Sequence, residues 1–169
     1  MPVKFRNKEF VSGGYYHIYN KGVDGRVIFS DEDDYLFYEQ LMGRYLSADE
    51  EKVDSRFKAV KPSVAERRRQ MNLSSDLELV AFCLMPDHFH LLVKQVNDEG
   101  ITKFMRRLNT GYVMYYNNRH NRKGPLFENI YRGARVDGEK QVLEMAKFIH
   151  NNPVVRVVKR FLQLNHIIS

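Results

Sequence analysis

A chain of 169 residues, 43% hydrophobic and 28% charged, carries enough apolar material for one core, which excludes an intrinsically disordered protein. No apolar run approaches the length of a membrane span, and the opening MPVKFRNKEF has no apolar segment of the signal-peptide kind, so a cytoplasmic protein without membrane attachment is expected. The formal net charge of +6 is modest and does not by itself mark a nucleic-acid partner.

Gly13-Gly14 precede YYHIYNK, a β-rich run that predicts a first strand, closed by Gly22 and Gly25. Ser30 with Asp33 predicts a capping box, and behind it Phe37, Leu41 and Tyr45 recur at helical spacing. From about residue 47 to 76 the chain is polar and aperiodic, which predicts a surface insertion. Within it Pro62-Ser63 and Glu66 predict a short charged helix whose RRR run is a solvated face. Leu77–Met85 is continuously apolar, as a buried central strand requires, and it holds Cys83, the single cysteine, as a core thiol in a reducing compartment. Pro86-Asp87 makes a turn into a second strand, His88–Gln95.

A helix follows from about Glu99 to Asn117, with Ile101, Phe104, Met105, Leu108, Tyr112 and Tyr115 on one stripe. NNRHNRKGP is a basic loop, Phe127–Val136 a final strand, and Gly138 leads into a helix running from Glu139 to Pro153. The order β-α-(insertion)-β-β-α-β-α predicts one α+β domain over residues 1–169. Its first elements match a ferredoxin-like antiparallel sheet with helices on one face, followed by an extra C-terminal helix.

His88-Phe89-His90 is the sharpest local feature. Residues i and i+2 of a strand share a face, so the two imidazoles project together and suit one divalent cation. Two half-exposed strand histidines are the plain alternative. On the last helix Phe148 and Asn152 are neighbours at i, i+4, and an amide oxygen at the helix end would complete a site for Mg²⁺ or Mn²⁺. Capping before Pro153 is the plain alternative for Asn152, and core packing for Phe148. Between Ile101 and Val136 eight basic residues face one acid, Glu128, with tyrosines interleaved. Arg106, Arg107, Arg119, Arg122 and Lys123, with Tyr116 as a stacking platform, are the candidate contacts to the phosphates and unstacked bases of a nucleic acid; a solvated helix face is the alternative.

YHIYNKGV, AFCLMPDHFHLLVK, FMRRLNTGYVMYYNNRHNRKGPLFE and FIHNNPV resemble, in order, the successive blocks of the single-tyrosine HUH transposases of small insertion sequences and their repeat-associated relatives. The resemblance covers most of Gly14 to Val155, and MPDHFHLLV with the NPV block carries most of its specificity. It implies a transposition protein in which His88, His90 and Asn152 hold a divalent metal that polarises a phosphate of single-stranded DNA. Relatives include dimers that share active sites, so a homodimer is implied as an option. The attacking tyrosine of that family, four residues before the amide, falls on Phe148, which has no oxygen to attack with. An engineered trap and a natural loss of strand cleavage both fit, as does a catalytically silent DNA-binding module. A phosphodiesterase using activated water is a third reading of the same histidines. Glu128–Tyr131, where relatives carry Gln-Gly-Arg-Phe, and the C-terminal FLQLNHIIS also depart from the family pattern.

Overall fold

The structure, a computed structural model, describes residues 9–47 and 71–151. Four strands and three helices lie along them: β1 (Tyr15–Lys21), α1 (Glu32–Leu46), β2 (Leu77–Met85), β3 (His88–Gln95), α2 (Gly100–Arg119), β4 (Arg132–Val136) and α3 (Glu139–Asn151). The strands form one sheet in the order β2-β3-β1-β4, every neighbouring pair antiparallel. That is the split βαβ arrangement of ferredoxin-like folds, the α+β class expected from the order of elements. No described helix is long and apolar enough to cross a membrane.

The sheet is covered on both faces, which is why β2 and β3 are nearly continuous apolar runs. On one face Tyr16 and Ile18 of β1 and Phe89, Leu91 and Val93 of β3 pack against α1 and α2. On the other, Ala81, Cys83, Leu92 and Val136 meet Ile149 of α3, with Val142, Met145 and Ala146 at the margin. A bulge in β2 reconciles the two layers. Leu79 pairs with Val93 and Ala81 with Leu92, so Val80 is an extra residue and is left exposed. Side-chain parity inverts there: Leu77 and Leu79 belong to the α1/α2 face, while Cys83 and Met85 turn to the α3 face.

Some boundaries differ from the sequence expectation. The cap of α1 is Asp31, not Ser30: its carboxylate accepts the Asp34 N–H at 3.2 Å, and Asp34 reaches back to the Ser30 N–H at 2.9 Å. Arg119 and His120 from the end of α2 also bind the fully buried Asp34, at 2.7 and 2.9 Å, and this tertiary clamp sets the register. The last strand begins at Arg132 and not at Phe127, which makes a single bridge to Gly22. In between, the Asn20 amide donates to the carbonyls of Asn129 and Ile130, both at 2.9 Å, so a side chain takes the place of a strand partner. Of the polar stretch 47–76, residues 48–70 lie outside the described residues. Its two described ends are tied together, Leu73 N–H to Tyr45 O at 2.7 Å and the Asn72 amide to Ser47 O at 2.6 Å.

Candidate functional site

The turn that launches the His88-Phe89-His90 strand is held from below. Ile28 and Phe29 N–H donate to Pro86 O at 2.7 and 3.0 Å, and Gly22 N–H to Asp87 O at 2.8 Å. Gly22 has to be glycine, because a Cβ there would stand 2.0 Å from the Arg26 carbonyl oxygen. Beyond the turn, alternation places His88 and His90 on the α3 face and Phe89 in the core opposite.

Strand register then builds two rows across that face. His90 lies between Cys83 of β2 and Tyr19 of β1, and Tyr19 in turn pairs with Arg132 of β4. His88 lies between Met85 and Lys21. His17, two residues before Tyr19, belongs to the same face. The His88 and His90 rings are 5.1 Å apart, centre to centre, and nearly perpendicular. Phe148 of α3, half exposed at 50%, sets its ring 5.8 Å from that of His90 and 6.4 Å from that of His17.

Both motif histidines are engaged at Nδ1. His88 Nδ1 donates to Asp87 Oδ1 at 2.7 Å, and His90 Nδ1 lies 2.9 Å from His17 Nε2. Burial depresses His17 to a pKa of about 4. It does the same to His90, with smaller contributions from neighbouring His17 and His88, again to about 4. Both rings are therefore neutral at physiological pH. The neighbouring Cys83 thiol is pushed up to about 11 by burial and supplies no thiolate.

Imidazoles anchored at one nitrogen are the donors a divalent cation takes, and the hydrogen bond from His88 Nδ1–H to Asp87 leaves Nε2 of that ring as the ligating atom. The donor set therefore fits a cation at His88 and His90. Among the described residues no group of three or more His, Cys, Asp or Glu is arranged to hold a metal ion. His17 does not add a third ligand, since its Nε2 is spent on His90. Asn152, the third ligand expected from the sequence, lies outside the described residues.

The cations singled out in the sequence fare unevenly. Arg119 is committed to Asp31, Asp34 and Asp33 at 2.6, 2.7 and 3.2 Å. Arg122 binds Asn117 Oδ1 and Pro125 O, and its guanidinium lies over the Tyr116 ring. Tyr116 itself is only 5% exposed; its hydroxyl bonds to Val27 O and Ser30 Oγ. A base has no room to stack on it, so the platform role expected of Tyr116 does not fit, and Arg119 and Arg122 serve the fold first. Arg107 donates to Met71 O at 2.6 Å. Arg106 and Lys123 are exposed, but Arg106 rides on α2, across the sheet from the histidines. Arg132 stands out in the sequence only as one of eight cations between Ile101 and Val136, and His17, Tyr19 and Lys21 do not stand out as site residues. The signal for these three is the period-2 alternation of YYHIYNK, which becomes informative only once β1 is known to pair with β3.

No curated protein matches the chain. A solved structure of a candidate transposase from Deinococcus radiodurans is 18% identical, covering 89% of this chain and 98% of its own, but its TM-score of 0.37 carries no argument. The structure of a REP-associated tyrosine transposase bound to a REP hairpin aligns with a TM-score of 0.53 at 10% identity, over 89% of this chain and 73% of its own, and shows a shared fold. The family model described as "Transposase IS200 like" matches residues 49–152, more than half of the chain, and the chain belongs to that family.

Proposed function

We propose that this chain is a DNA-binding protein of the transposition type, which lays single-stranded or hairpin DNA on the α3 face of its sheet and holds Mg²⁺ or Mn²⁺ there through His88, His90 and Asn152. The observation that carries this reading is the gathering of His88, His90 and Phe148 on one sheet face, with Lys21 and Arg132 in the adjoining register positions. A hairpin is the ligand of the REP-associated structure of the same fold, and that class of ligand is extended here to this chain. Lys21 and Arg132 neutralise phosphates on the strand that reaches the histidines; Lys21 exchanges its contact with Glu128, 3.3 Å away, for one with DNA. The cation, when bound, polarises a phosphodiester.

Phe148 contributes a ring wall and no nucleophile, so the chain as it stands binds DNA without forming a tyrosyl link through this position. The test is fluorescence anisotropy on labelled single strands and hairpins, with and without Mn²⁺, across a salt series. Binding that strengthens with Mn²⁺ and weakens steeply with salt is expected. Affinity indifferent to salt and unchanged in Lys21→Ala and Arg132→Ala would sink the proposal.

A further inference from the structure

We propose that His17 is the positioning residue of this site: it accepts the Nδ1–H of His90 at its own Nε2 and so keeps the His90 Nε2 lone pair free for a cation. This rests on the reading of His88 and His90 as cation ligands.

The two nitrogens are 2.9 Å apart, and the rings lie 5.0 Å centre to centre at 21°. At that distance one nitrogen must carry a hydrogen, since two lone pairs would repel. If His17 were the donor, a neutral His90 would hold its proton at Nε2 and have nothing to offer a cation. If His90 is the donor, both motif histidines share one design, each giving its Nδ1–H to a partner and keeping Nε2. The partner of His88 is the half-exposed carboxylate of Asp87, on the turn. His90 lies deeper, and its partner is a neutral ring that is itself only 9% exposed. A carboxylate at that depth would carry a large desolvation cost and would draw a proton onto His90. An imidazole directs the hydrogen without adding charge.

His17 is fixed in turn. It stacks on Tyr19 at 5.0 Å and 25°, with the Phe148 ring edge-on at 6.4 Å, and its ring bonds to His90. Buried polar rings without a partner are costly, so the pair holds its geometry before any cation arrives.

Long-range ¹H–¹⁵N correlation of the imidazoles in the metal-free protein at neutral pH reads the tautomers directly. His90 is expected with its proton on Nδ1 and His17 with a bare Nε2; a His90 protonated at Nε2 overturns the proposal whatever the cation does. Mn²⁺ affinity, read by electron paramagnetic resonance, should fall about 10–100-fold in His17→Leu. His17→Gln, whose amide oxygen reaches the position of Nε2, should restore most of it. Wild-type affinity in the folded His17→Leu variant, or equal losses in both variants, overturns the proposal. A wild-type protein with the expected tautomers that binds no Mn²⁺ would instead remove the cation reading of His88 and His90 and leave the tautomer assignment standing.

Discussion

A phenylalanine and a tyrosine differ by one oxygen, and at position 148 that oxygen would be carried by a ring centred 5.8 Å from the ring of His90. Supplying it is the smallest change that can turn a binding face into a bond-making one, since the half-exposed ring needs no new space. Phe148→Tyr, incubated with a single strand it binds and Mn²⁺, is expected to give a DNA-shifted band on a denaturing gel where the unaltered chain gives none. Tyr19, on the same sheet face, is the control: a band from the unaltered chain that disappears in Tyr19→Phe would locate the nucleophile there. Tyr112, Tyr116 and Tyr131 are buried, and the first two spend their hydroxyls on the backbone of Ile28 and Val27, so none competes.

The paired imidazoles also set a pH dependence. His17 and His90 titrate near 6.5 when unfolded and near 4 when folded, because burial penalises their charged forms. Across that window the unfolded chain binds more protons, so stability rises with pH. It is expected to be level above about pH 6.5 and to fall as pH drops towards 4. Urea melts at stepped pH check this, and His17→Gln should flatten part of the slope.

Among the elements, the turn before β3 and the joint between α1 and α2 carry the strongest constraints. Gly22→Ala forces the new methyl against the Arg26 carbonyl and should cost about 1–3 kcal/mol in denaturant unfolding, while loosening the support of Asp87 and His88. Asp34→Ala removes the buried carboxylate that Ser30 N–H and His120 share, while Arg119 keeps Asp31 and Asp33. A loss of about 1–3 kcal/mol is expected, measured the same way. That joint shows where local sequence stops being informative. The helix itself was legible from Phe37, Leu41 and Tyr45, but its first residue is decided by Arg119, eighty-five positions away from Asp34. The hairpin β2–β3 and the shared face of His88 and His90 were legible because alternation alone dictates them. His17 was not, since its role depends on which strand lies beside it.

At the scale of the molecule, the cation-rich segment of the sequence divides between two layers. Arg106 and Arg107 belong to α2, packed on one face, whereas Arg132 lies on β4 in register with Tyr19 and His90 on the other. Linear charge density therefore does not say which cations share a face. For DNA lying on the α3 face, Lys21→Ala and Arg132→Ala should each lower the slope of log affinity against log salt by about 1, and Arg106→Ala should change it less. Equal effects from all three would place the strand elsewhere.

The bulge at Val80 bears on how such chains change over generations. Inserting or deleting a residue between Ala81 and Met85 would exchange the inward and outward sides of whatever lies beyond it, bringing Leu84 under α3 and Cys83 under α2. The described ends of the polar stretch before β2 are tied together, Asn72 and Leu73 meeting Ser47 and Tyr45, so residues added between them need not displace the strand. Length variation among descendants should accumulate before Leu73 and be purged within β2, where a single codon gained or lost would dismantle the wall behind His90.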